Sequence, residues 1–189
     1  MKETILKRFE ESAAAIRQAG ERLAGRIAEA ADLIVAAYRA GGGVLVFGNG
    51  GSAADAQHIA GELVGRFLKD RPGLRAHALT TDASILTSVA NDYGFEEVFA
   101  RQLEACGRPG DVAIGISTSG NSPDVVGGLR TARELGLRTI ALTGPGGGGC
   151  AKQAELVLDV PAASTPRIQE AHVVIYHMLC ELVEEAMSR

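Results

Sequence analysis

Apolar residues recur at helical spacing over residues 1–40 and then give way to short unbroken runs. Ile5, Leu6, Phe9, Ala13 and Ile16 mark a helix over 2–19. Leu23, Ile27, Ala30, Ala31, Ile34 and Ala37 mark another over 21–40, with Gly20 as the break and Gly41-Gly42-Gly43 as the stop. Beyond them, Val44–Phe47, Ala76–Leu79, Val112–Ile116, Thr139–Leu142 and Leu156–Val160 read as buried strands. Helical stretches lie between and after these runs, at 52–66, about 82–90, 95–105, 122–135 and 166–187, with a short helical turn near 150–153. Arg71-Pro72-Gly73, Asn91–Gly94 and Arg108-Pro109-Gly110 read as turns. The alternation predicts an α/β chain: a three-layer sandwich with a five-stranded, mostly parallel sheet, two extra N-terminal helices and a long C-terminal helix. Two helices before the first strand exceed what one βα layer needs. Residues 1–40 are therefore expected either to pack on a partner subunit or to cover the sheet.

Composition narrows the class. At 189 residues the chain suits one domain, 1–189, with a sizeable core. Aromatics make up 4% and Trp is absent, which leaves no stacking platform for nucleic acid, and the formal charge of −4 argues the same way. Cys106, Cys150 and Cys180 form an odd set without metal spacing and fit reduced thiols. The first residues do not read as a signal peptide, and no apolar run is long enough to span a bilayer. A cytoplasmic protein with neither membrane nor nucleic-acid partners is expected.

The candidate chemistry begins where the first strand ends. Val44–Phe47 runs into Gly48-Asn49-Gly50-Gly51, and Ser52 is predicted at or near the N-cap of the next helix, with Asp55 at capping-box spacing. A strand, a glycine turn and a helix N-terminus form an anion site, because free N–H groups and the helix dipole both favour negative charge. A tight turn alone would need only glycine, whereas Asn49 and Ser52 add polar groups at the mouth. The motif is neither a dinucleotide fingerprint nor a P-loop, so no nucleotide cofactor is expected. The third strand repeats the arrangement with Ser117-Thr118-Ser119-Gly120-Asn121-Ser122-Pro123. Its hydroxyls and N–H groups can saturate phosphate oxygens, with a hydroxyl-rich turn as the plain alternative. Loops at strand C-termini are where ligands sit in open α/β sheets.

Two helices add titratable groups. His58 and Glu62 are four apart and share a face, as a solvated pair would. On the last helix, Gln169, Val173 and His177 climb one face, while His172 lies about 140° from His177. That helix is otherwise apolar, so a buried histidine on it needs a partner, which the spacing does not identify.

The motifs GNGGSAADAQHIAGE at 48–62, NDYG at 91–94, GISTSGNSP at 115–123 and RIQEAHVVIYH at 167–177 together resemble those of the phosphoheptose (sedoheptulose-7-phosphate) isomerases, a family of sugar isomerase (SIS) domains. The resemblance covers nearly the whole chain. It implies aldose–ketose isomerisation of sedoheptulose 7-phosphate to D-glycero-D-manno-heptose 7-phosphate, the first step toward the heptose of lipopolysaccharide or related glycans. By the same resemblance, Asn49, Gly50, Gly51 and Ser52 form the substrate loop and Ser117, Thr118, Ser119 and Ser122 the phosphate loop. Asn91, Asp92 and Gln169 stand beside the sugar. Glu62 and His177 match the catalytic pair. His58, Glu62, Gln169 and His177 match residues that hold one zinc ion per subunit in some members. The resemblance also implies a homotetramer with active sites at subunit interfaces, to which residues 1–40 would contribute. The competing class is a non-catalytic adaptor, similar to the bacterial DnaA-initiator-associating protein in its NGxSAA opening and RIQE. That family lacks the acid–base pair, and both Glu62 and His177 are present here.

Overall fold

The computed structural model describes residues 1–188. Five strands form one parallel sheet in the order β2-β1-β3-β4-β5. They are β1 (Val44–Gly48), β2 (Ala76–Ala78), β3 (Val112–Ser117), β4 (Arg138–Thr143) and β5 (Leu156–Asp159). Central strands β1 and β3 are buried along their whole length, as their unbroken apolar runs require of strands covered on both faces.

Alternation along each strand separates two cores. Val44, Val46, Val112, Ile114 and Ile116 face α1 (Lys2–Arg39), α2 (Gly51–Val64) and α6 (Thr165–Met187). Leu45, Phe47, Ala113 and Ala141 face α4 (Val98–Cys106) and α5 (Pro123–Glu134), with α3 (Ala83–Tyr93) beside them. The expected three-layer sandwich is therefore present.

The N-terminal segment differs in one respect. Residues 2–39 form one continuous helix rather than two separated at Gly20. A glycine inside a helix costs about 1 kcal/mol relative to alanine, which does not break it when tertiary packing holds both sides. Here Ala15, Ala19, Leu23 and Ile27 keep one buried stripe in phase across Gly20, most of it against α6. A helix of 38 residues spans about 57 Å. That far exceeds the sheet's depth, and residues 1–10 are all exposed.

Other boundaries shift by a few residues. Asn91, Asp92 and Tyr93 close α3 instead of forming a turn, because the helix stops only at Gly94, whose φ of 100° is the left-handed one. The stretch after it splits into a 3₁₀ turn, Phe95–Glu97, and α4. Among the described residues no helix is long and apolar enough to cross a membrane.

Candidate active site

β1 and β3 are neighbours in register, Gly48 beside Ile116. Their C-terminal loops therefore lie side by side at the point where the strand order reverses, the place where open parallel sheets bind ligands. In the first loop, Gly50 takes a φ of 56° and serves as the N-cap of α2. The helix thus starts earlier than a Ser52 cap would allow. Ser52 is buried in the first turn, and among the described residues no side chain caps the helix. Gly51 is fixed by proximity: a Cβ there would come within 2.6 Å of Gln169 Nε2. Gln169 thus lies against the first residue of α2.

The second loop is ordered by its own hydroxyls. Ser117 Oγ lies 2.9 Å from Ser122 Oγ and 3.3 Å from Ser119 Oγ, and Asn121 N–H donates to Ser119 Oγ at 3.1 Å. Ser122 is the N-cap of α5 in backbone terms, but its hydroxyl turns to Ser117 rather than to the helix. Pro123 opens that helix, as predicted. Thr118 O accepts from Gly144 N–H at 3.1 Å, tying the loop to the glycine segment after β4.

The titratable groups meet along the seam between α2 and α6. His58, Glu62 and His177 each offer one ligand atom, and the three atoms lie within 4.8 Å of one another. His58 Nε2 is 3.0 Å from Glu62 Oε1, and the His58 and His177 rings stand edge to face at 5.1 Å. The seam is open to solvent: His58 is 45% exposed and Glu62 23%. Burial lowers the His177 pKa and the nearby His58 lowers it further, while Glu62 opposes both. The His177 imidazole is thus kept neutral to lower pH than an ordinary histidine.

Two supports emerge that sequence reasoning missed. Tyr176, almost wholly buried, brings its hydroxyl 3.0 Å from His58 Nδ1 and 3.4 Å from Asp55 Oδ1. Asp55, expected in a capping box, faces this hydroxyl instead, and burial raises its pKa against the pull of Tyr176. Its position at i−3 from His58 and i−7 from Glu62 was the available signal, since the three share a helix face. The second support is the connection after α2. Glu184 accepts from the backbone N–H groups of Phe67, Leu68 and Lys69 at 2.6–2.8 Å and lies 3.3 Å from Arg71 Nε. Arg71 in turn donates to the carbonyls of Glu62 and Leu63 at the end of α2. Burial alone would raise the Glu184 carboxyl, but the three N–H donors and Arg71 hold it below its ordinary value. The pinned connection sets the Phe67 ring 5.5 Å from His177.

The structure therefore brings Glu62, His177 and His58 together. Gln169 lies two turns earlier on α6, about 12 Å of helix rise from His177, against Gly51. Asn91 and Asp92 are exposed at the end of α3, and Asn91 Nδ2 donates to Asp92 Oδ1 at 2.8 Å. His172 is elsewhere: fully buried, it donates from Nε2 to Thr143 O at 3.1 Å. Two imidazole nitrogens and a carboxylate oxygen at this spacing are the donor set of a zinc-type cation with further positions open, so the residues fit such an ion.

Comparison with known proteins bears on this arrangement directly. Residues 8–144 match the SIS domain family. A phosphoheptose isomerase of Aquifex aeolicus (strain VF5) is 56% identical over 185 residues, 98% of this chain and 97% of that protein. Among solved structures, a phosphoheptose isomerase from Neisseria gonorrhoeae superposes with a TM-score of 0.92 at 43% identity, covering 97% of this chain and 98% of that one. One from Francisella tularensis gives 0.93 at 38% identity over 97% of each.

Proposed function

The chain belongs to the SIS domain family and, within it, to the phosphoheptose isomerases, and we propose that the α2–α6 seam and the β1 and β3 loops are where it converts sedoheptulose 7-phosphate to D-glycero-D-manno-heptose 7-phosphate. The observation that carries this reading is the meeting of Glu62 and His177 from two different helices.

The chemistry asks for such a pair. Moving a carbonyl between C1 and C2 removes a proton from the carbon beside it and leaves an enediol with charge on oxygen. One group must take the carbon-bound proton and another must serve the oxygens, each within hydrogen-bond reach. Glu62 is assigned the carbon-bound proton. Its Oε1 faces His58, and among the described residues its Oε2 has no hydrogen-bond partner, which leaves that oxygen for substrate. His177, neutral over a wide pH range, is assigned the oxygens or the opening of the sugar ring.

The phosphate is assigned to Ser117, Thr118, Ser119 and Ser122 with the N-terminus of α5, where backbone N–H groups add to the hydroxyls. Asn49, Gly50, Gly51, Ser52, Asn91, Asp92 and Gln169 are assigned to the sugar. Binding energy from the phosphate end then positions the distant reacting carbons.

His58, Glu62 and His177 are assigned to one zinc ion per subunit, with Gln169 as a fourth donor. A bound zinc would polarise the substrate carbonyl. The whole chain, 1–189, is read as one SIS domain, working as a homotetramer with active sites at subunit interfaces. Ile5, Leu6 and Phe9 on the overhanging end of α1, and Met178 and Leu182 beside Ala24 and Ile27, are the exposed apolar positions that support this assembly. Incubating the protein with sedoheptulose 7-phosphate and detecting the aldoheptose phosphate, wild type beside Glu62→Gln, tests the assignment. An inactive wild type, or a folded variant of undiminished rate, overturns it.

A further inference from the structure

His58 is held at both ring nitrogens although its side chain is half open to solvent. Nε2 faces Glu62 Oε1 at 3.0 Å, and Nδ1 faces the Tyr176 hydroxyl at 3.0 Å. The phenol has a second neighbour, Asp55 Oδ1 at 3.4 Å, and only one proton to give. An ionised carboxylate is a stronger acceptor than a neutral imidazole nitrogen. Among the described residues Asp55 Oδ2 is already buried without a partner, so a phenol proton directed at His58 would leave both Asp55 oxygens unbonded. The phenol proton belongs to Asp55, and the phenol oxygen must then accept from His58 Nδ1–H.

The consequence lies on the other edge of the ring. A neutral His58 protonated at Nδ1 carries a lone pair at Nε2, aimed at Glu62 and toward His177. A lone pair and a carboxylate oxygen 3.0 Å apart repel each other unless something positive joins them. Tyr176 is 1% exposed, so the phenol cannot swing away to relieve the clash.

We propose that Asp55 and Tyr176 are positioning residues: in sequence, carboxylate to phenol to imidazole, they fix the His58 tautomer and present its Nε2 as a donor to a cation shared with Glu62 and His177. The inference rests on reading this triad as a metal site, and it adds two residues outside the ligand set. Hydrogen-bonded supports of this kind orient metal-bound histidines and raise their basicity, and their removal typically costs about 10–100-fold in metal affinity.

Two measurements separate the relay from the metal. Ring-labelled histidine NMR of the metal-free protein, at about pH 8.5 where imidazoles are neutral, reads the tautomer directly. The protein's 4 histidines are assigned with a His58→Gln spectrum. Wild-type His58 is expected as the Nδ1–H form, turning to Nε2–H in Tyr176→Phe. Competition with a chromogenic chelator is expected to show zinc binding about 10–100-fold weaker in Tyr176→Phe. Asp55→Ala leaves the phenol proton only His58 Nδ1 as acceptor, so it shifts both readouts in the same direction and carries the test if the phenylalanine variant fails to fold. The double variant binds no more weakly than Tyr176→Phe alone, because Asp55 acts only through the phenol. Wild-type His58 in the Nε2–H form, or zinc affinity in both single variants within about twofold of wild type, overturns the relay. A wild type that takes up no zinc yet shows the Nδ1–H form instead overturns the metal reading and leaves the relay standing.

Discussion

The Glu62 carboxylate on α2 and the His177 imidazole on α6 meet within 4.8 Å, with Phe67 set against the back of His177. Neither residue's own helix could bring it to the other. The meeting depends on α2 and α6 packing side by side on one face of the sheet. Glu62→Gln and His177→Gln are each expected to lower turnover of sedoheptulose 7-phosphate by about 10²–10⁴-fold, the span of a lost general acid or base. Circular dichroism melts should remain close to wild type, since both side chains are partly open to solvent. Folded variants turning over at the wild-type rate would take Glu62 and His177 out of the catalytic pair, whereas a wild type without turnover would return the protein to the adaptor class.

Metal removal follows from the same cluster. Zinc analysis of the purified protein should find about one ion per chain, and exhaustive chelation should remove it, because a site open to solvent yields its ion more readily than a closed structural one. Turnover should fall with the metal and return on adding zinc. His58→Gln should lose zinc affinity while still binding sugar phosphate. Full activity in a metal-free sample would leave His58 and Glu62 an ordinary helical pair.

The serine loop makes a separable prediction. Ser119→Ala and Ser122→Ala each remove a hydroxyl from the network around Ser117. A hydrogen bond to a charged group contributes about 1.5–3 kcal/mol, so kcat/KM for the sugar phosphate should fall about 10–150-fold. Unphosphorylated sedoheptulose, turned over poorly by every variant, should show no such loss. Equal losses on both sugars would place these hydroxyls at the reacting carbons instead.

How much of this was legible in the sequence depended on whether the determinant was local. The strands announced themselves as apolar runs, and the β1 and β3 loops as glycine and hydroxyl clusters, because burial on two faces and close backbone approach each restrict residue choice nearby. Gly20 misled because the packing that keeps α1 whole comes from α6, at the far end of the chain. Asp55 misled because its spacing from Ser52 suits a cap equally well, and only the position of Tyr176 decides its partner. That Glu62 meets His177 came from the family resemblance; spacing alone left the pair unconnected.

Glu184 anchors the connection that holds Phe67 in place. Glu184→Ala removes the acceptor of three N–H groups and leaves Arg71 buried without its ion. Loss of one partner of a buried pair costs about 3–5 kcal/mol. Urea unfolding should show that loss, and the 67–71 backbone amides should exchange faster. A change below about 1 kcal/mol, the range of exposed pairs, would mean that solvent replaces the carboxylate.

His172 gives the protein a pH dependence unconnected with catalysis. It is fully buried, Nε2 donates to Thr143 O, and among the described residues Nδ1 has no partner. A second proton would add a buried N–H with nothing to receive it. Burial accordingly lowers its pKa from 6.5 to about 4, against a smaller raising effect from the Thr143 hydrogen bond. Between those values the unfolded chain binds a proton that the folded chain does not, so stability rises with pH across the window and falls as the solution is acidified through it. The loss from this one residue is on the order of 3 kcal/mol between pH 7 and pH 4. His172→Gln keeps an N–H donor for Thr143 and has no such titration. Urea midpoints of wild type and variant, measured across that range, should draw apart on acidification, wild type losing the more, whatever the carboxylates do in both. Parallel curves would show that water reaches Nδ1 and that the ring charges in place.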